Sequence, residues 1–178
     1  MKKNIRSSIV VLTFLAIYSN LSIAQETKPR YDVFAFEQQL TLPGSPSTIY
    51  DAITGDISGW WDHSFSDKPY KLYIEAKPGG GFYEIFNESG DGVRHATVTV
   101  AERGKRLRFE GPLGLSGMAI TMVTTYEFSA VGADSTMLKL TVHGAGEVPE
   151  GIPAIVEGVW HHFLFERFKP YVLKSSEF

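Results

Sequence analysis

Cysteine is absent from the 178 residues, which excludes structural disulfides, thiolate metal sites and a lipid-modified N-terminal cysteine. No His-x-x-x-His pair occurs either, so zinc has no recognisable ligand set. A Gly-x-Ser-x-Gly nucleophile elbow is missing. Gly79-Gly80-Gly81 lacks the Lys-Ser/Thr and the helix start of a phosphate loop and reads as a turn or bulge between strands. Basic residues do not exceed acidic ones, at 17 against 20 with a formal charge of −3. Such a chain is poorly suited to nucleic acid or to anionic membrane surfaces.

Long apolar runs are scarce. The longest, Ile9 to Ile17, falls short of the roughly 20 residues that span a bilayer. Lys2, Lys3 and Arg6 precede it and Ser22-Ile23-Ala24 follow, so residues 1–24 are expected to be a cleavable secretory signal. The mature chain would then start near Gln25 and work in the periplasm or outside the cell, without stable membrane insertion. Three of the 17 basic residues and none of the 20 acidic ones lie in that segment, so its removal moves the formal charge from −3 to −6. Residues 25–31 read as a flexible lead-in, and residues 32–174 as one domain of ordinary size.

What the domain does have is strand alternation. Val33 to Leu42 alternates apolar and polar residues, and Pro43-Gly44 ends it. Ser45-Pro46 offers a helix cap with proline in the first turn, and Ile49, Ala52 and Ile53 form a short stripe. A second short helix or turn is expected around Ile57, Trp60 and Trp61. Six strands divided by turn signals follow, Lys71 to Ala76, Phe82 to Asn87, Val93 to Glu102, Arg106 to Glu110, Met118 to Ala130 and Met137 to His143. The last segment is helical in period, with Ile152, Val159, Trp160 and Phe163 within about 60° of Val156. Pro170 should end or kink that helix. The expected class is α+β, a curved antiparallel sheet of about seven strands wrapped around a long C-terminal helix.

The opening strand followed by Pro46 to Ile53, the Trp60-Trp61 pair and the Lys77-Pro78-Gly79-Gly80-Gly81-Phe82 turn resemble the START-like, helix-grip superfamily also called SRPBCC. So do Ala96 to Val100, Leu107-Arg108-Phe109, Thr125 to Phe128, Leu138 to His143 and Gly158-Val159-Trp160. Within it, their order resembles the branch named after activators of the heat-shock chaperone ATPase. The resemblance covers Asp32 to Val172. It implies a hydrophobic cavity between sheet and last helix, used in that superfamily for lipids, polyketides, hormones and other small apolar molecules, by binders and carriers as well as by cyclases and dehydratases.

Met122 and Tyr126 share one parity on a long strand and face Trp160 and Phe163 of the helix, with Trp61 near the entrance. These are the expected ligand contacts, because soft or amphipathic side chains line adaptable apolar sites. Arg167 falls about 20° from the centre of the helix stripe, where neighbours are apolar. Either its stem lies on the core with the guanidinium in water, or it closes the cavity against a carboxylate of the protein or of an amphipathic ligand. His161 and His162 diverge around the helix and should face away from the core, so neither metal nor cofactor is expected. No catalytic constellation stands out. A binding or carrier protein for a small hydrophobic or amphipathic ligand is therefore the leading reading. An enzyme of the cyclase or dehydratase kind would draw on Glu84, His95 or His143 as acid or base, and a ligand-free interaction module is the third reading. Oligomeric state is left open.

Overall fold

Ser45 starts the first helix as its composition demands, its hydroxyl accepting from the Thr48 amide at 3.2 Å with Pro46 in the first turn. The computed structural model describes residues 30–175, so the expected signal, residues 1–24, lies outside the described residues. Strands are β1 (Tyr31–Pro43), β2 (Gly55–Asp56), β3 (Lys71–Ile74), β4 (Gly81–Ile85), β5 (Gly92–Glu102), β6 (Arg106–Gly111), β7 (Ile120–Val131) and β8 (Ser135–Glu147). Helix α1 (Pro46–Ile53) follows β1, and a 3-10 turn (Leu113–Leu115) precedes β7. The C-terminal helix runs as α2 (Ile152–His161), a π-wound segment (His162–Phe168) and α3 (Lys169–Ser175). Among the described residues no helix is long and apolar enough to cross a membrane.

All neighbouring strands are antiparallel, in the order β1-β8-β7-β6-β5-β4-β3-β2. First and last strands pair along their whole length, Tyr31 opposite Glu147 and Pro43 opposite Ser135. Tyr31, expected in the lead-in, therefore already belongs to the sheet. On β7, Ile120, Met122, Thr124, Tyr126 and Phe128 point inward together, as a period of two requires. The helix lies across this face, and the core forms between them.

The sheet has eight strands rather than seven, because Gly55 and Asp56 add a two-residue edge strand against Tyr73 and Ile74. The second short helix is a single turn, Trp60 and Trp61 both donating to the Ile57 carbonyl at 3.1 and 2.9 Å. Its cause is local: Asp56 accepts from the Ser58 amide and hydroxyl at 2.9 and 2.7 Å, which closes an Asx turn in place of helix. Gly59 completes it, since a Cβ there would run into the Tyr171 ring at 2.8 Å.

The helix continues through Pro170 to Ser175. A proline ring ordinarily collides with the carbonyl four residues earlier, but here the preceding turns are widened, and Lys169 donates to the Leu164 carbonyl five residues back. The widening also changes which side chain reaches the core. Each residue of a π turn advances less around the axis than in an α turn, so Phe168 arrives where the α period placed Arg167. Phe168 is fully buried against Trp60, ring centroids 4.9 Å apart. Arg167 turns outward to ion-pair with Asp62, Nε to Oδ2 at 3.1 Å.

This exchange sets opposite expectations for adjacent residues. Phe168→Ala should cost about 3–5 kcal/mol, whereas Arg167→Met should change stability by no more than about 1 kcal/mol, the range of exposed ion pairs. Urea unfolding of both variants measures it, and the reverse ranking would mean that the α period holds.

Candidate ligand cavity

The widest part of the concave face is not filled by the helix. A cavity of about 300 Å³ remains between α2, the loop after β2 and the middle strands. Ile155, Val156, Val159 and Trp160 form its helix wall, Met122 and His95 its sheet wall, and Leu113 and Leu115 of the 3-10 turn one lip. Leu113 sits at φ 51, a conformation that strains a side-chain-bearing residue. Trp61 and Phe163 stack at 3.8 Å, rings inclined by 19°, and close the far side.

Of the residues singled out from sequence, Trp61, Met122, Trp160 and Phe163 line this space. Tyr126 lies beneath it, fully buried with its ring 6.0 Å from Trp160, and burial pushes its phenol far above the ordinary value of 10.0. Arg167 does not reach the cavity. Its guanidinium is half-exposed and meets Asp62 and the Trp60 carbonyl instead. His143, an acid or base candidate from sequence, does not reach the cavity either: it stands exposed on the outer face of β8, beside Phe34 and Ala35.

Glu84 and His95 do come together. Glu84 is fully buried on β4 and accepts from His95 Nε2 at 3.0 Å and from the amides of Phe65 and Ser66 at 3.0 and 2.8 Å. Burial by itself would raise this carboxyl, but the two amides and then the imidazole outweigh it and hold it below the ordinary 4.5. One carboxylate thus ties the loop carrying Ser64 and Phe65, both cavity residues, to the sheet.

The mouth is polar. Asp62 accepts from His162 Nε2 at 2.9 Å and meets His63 Nδ1 at 2.9 Å, while His162 Nδ1 reaches Glu166 at 2.8 Å. Asp62, His63 and His162 offer ligand-type atoms within 4.8 Å of one another. Arg167 already supplies a cation to Asp62, so the cluster is satisfied as an ion-pair network. Hydrogen bonds first to Asp62 and then to Glu166 hold the His162 imidazolium above the ordinary 6.5.

Phe65, Leu113, Leu115 and Ile155 line the cavity without having been singled out. Two were detectable as apolar residues in Gly111-Pro-Leu-Gly-Leu115, where a plain loop has no use for them. His63 and Phe65 gave no periodic signal, since their loop has no period.

No family model matches the sequence, and neither does any curated protein. Solved structures do match in fold. A protein of unknown function from Staphylococcus aureus superposes with TM-score 0.61 at 13% identity, covering 84% of this chain and 99% of its own. The Aha1 dimer from Colwellia psychrerythraea gives 0.54 at 18%, over 78% and 96%. Ara h 8.0201 gives 0.57 at 16%, over 80% and 99%. The chain has a helix-grip fold. At these identities the likeness extends to the fold alone, whose function each member sets by its own site.

Two outcomes test the geometry. Replacing Glu84 by Gln leaves one of the Phe65 and Ser66 amides facing an NH2 group, and should cost about 1–3 kcal/mol at neutral pH. Because the folded carboxyl titrates below the unfolded one, its contribution is whole above about pH 4.5 and fades as pH falls through the folded value; denaturation curves of wild type and Glu84→Gln should converge in acid. For His162 the sign reverses: its contribution is whole below about 6.5 and fades as pH rises through the folded value, so its imidazole resonance should titrate above 6.5 in wild type and return toward it in Asp62→Asn.

Proposed function

We propose that this chain is an exported binding or carrier protein for a small hydrophobic or amphipathic molecule held between sheet and C-terminal helix. The observation that carries the reading is the cavity of about 300 Å³ with mainly apolar walls, within the size range of small-molecule sites. Trp61, Met122, Trp160 and Phe163 are the ligand contacts in this reading, with Tyr126 supporting Trp160 from below and Arg167 paired with Asp62 outside the cavity. Export rests on the basic, apolar and small-residue pattern of residues 1–24. The order of motifs from Pro46 to Trp160 supports the branch named after chaperone-ATPase activators, although that chaperone is intracellular and an exported chain would not meet it.

One observation favours the enzyme reading, the buried Glu84–His95 pair, because a cavity-lining imidazole oriented by a carboxylate is the arrangement of a general base. A cyclase or dehydratase would also need a donor for developing charge, for which His63 and Ser64 are the polar residues of the wall.

Native mass spectrometry of protein recovered from its own host should show a bound small molecule, unchanged on incubation. Release of an altered molecule would move the assignment to an enzyme. Folded protein should also take up an environment-sensitive hydrophobic dye, and Met122→Trp, which fills the sheet wall, should reduce uptake with the circular dichroism spectrum intact. Equal uptake by both proteins would put the dye on the surface and remove support for a binding cavity.

A further inference from the structure

β5 carries one more residue than β4 needs. Phe82 pairs with Ala96 and Tyr83 with Arg94, leaving His95 unopposed as the extra residue of a β-bulge. In a regular strand His95 would point away from the face on which Ala96 lies. The bulge turns it inward, so His95 and Ala96 are both buried, with Arg94 exposed. Bulges re-aim side chains in this way beside binding and active sites.

The re-aimed imidazole is 5% exposed and sits between aromatic rings, 5.0 Å from Phe82 and 5.3 Å from Phe65. Nε2 faces Oε2 of Glu84 at 3.0 Å. A carboxylate held ionised by two backbone amides only accepts, so Nε2 carries the proton and donates it. In the neutral ring Nδ1 is then the acceptor, and no hydrogen bond to it forms among the described residues. The other polar wall groups are engaged elsewhere: Ser64 donates to the Ser66 carbonyl at 2.7 Å and His63 Nδ1 meets Asp62 at 2.9 Å.

We infer that His95 Nδ1 is the acceptor for a hydroxyl or N–H group of the bound molecule, and that Glu84 and the β5 bulge exist at this point to present it. The inference rests on the binding reading of the cavity and narrows it to a ligand class. A cavity of about 150 Å³ takes a single benzene ring, so about 300 Å³ suits two fused rings. The ligand is an apolar molecule of about that size with one hydrogen-bond donor at its edge. Glu84 is a positioning residue, which sets the tautomer of His95 without touching the ligand.

The test compares 2-naphthol, which has a donor, with 2-methoxynaphthalene, which has the same rings and none. Titrations followed by tryptophan fluorescence should show 2-naphthol binding about tenfold more tightly to wild type, the size expected of one good hydrogen bond in a dry site. His95→Phe, which keeps a ring between Phe65 and Phe82, should abolish the preference while both compounds still bind. Nitrogen NMR supplies a readout that needs no variant: the Nδ1 resonance of His95 should shift with 2-naphthol and stay in place with 2-methoxynaphthalene. Equal affinities in wild type, a preference that survives His95→Phe, or an unmoved Nδ1 signal on saturation with 2-naphthol overturns the inference and leaves the cavity reading standing. Binding of neither compound overturns both.

Discussion

Everything in this molecule depends on an aromatic joint at which loop, helix and sheet meet. Trp60 packs edge-on against Phe168, centroids 4.9 Å apart, while Trp61 lies flat on Phe163 at 3.8 Å and edge-on to Phe82 at 4.9 Å. Those contacts hold the last helix to the sheet at one end. Rings of this size bury large areas and favour offset or edge geometries, which fixes both the spacing and the tilt of the helix. Toward α2 the wall side chains become Ile155, Val156 and Val159, too short to fill the span. The cavity is what this difference in side-chain length leaves behind.

The same joint explains the π winding. Trp60 needs a large apolar partner on the helix, and an α period would have offered it Arg167. Inserting a residue's worth of slack into the turn brings Phe168 to that place and sends Arg167 to Asp62. A strained helical turn is thereby traded for a buried aromatic pair and a satisfied guanidinium. π segments are uncommon and concentrate at functional sites, and this one borders the cavity through Phe163.

Much of the fold was legible because it rests on period and punctuation. The parity of Ile120 to Phe128 and the cap at Ser45-Pro46 are local properties, and local properties survive into the structure unchanged. The departures share one character: each depends on a tertiary partner. Pro170 stays inside a helix because the widened turns before it carry Phe168 to Trp60, and two residues become a strand because β3 offers an edge. For the site, Met122, Trp160 and Phe163 were found by facing parities across the core. The aim of His95 was not, since one unopposed residue between Arg94 and Ala96 inverts the parity and no composition rule marks where it falls. Arg167 pairs with a protein carboxylate as one reading had it, but its place on the buried stripe was misjudged for the matching reason on the helix, a change of period within a single turn.

Glu84 and His95 stand apart from that pattern, because stability alone gives no reason for them. A carboxylate taken fully out of water costs several kcal/mol unless hydrogen bonds replace its hydration, and three do so here. An apolar pair of similar volume would meet Phe82 and Phe65 with no such requirement, and replacing buried ionic pairs by hydrophobic side chains is often neutral or stabilising. The loop could be anchored by the amides of Phe65 and Ser66 on a neutral side-chain amide as well, but such a group can turn either its oxygen or its NH2 to the ring and would not dictate the imidazole tautomer. The combination of an ionised carboxylate, an imidazole bound through Nε2 and a bulge that turns the ring inward accounts for one feature that simpler packing does not produce: a polar ring held in a fixed position on the wall of an apolar cavity.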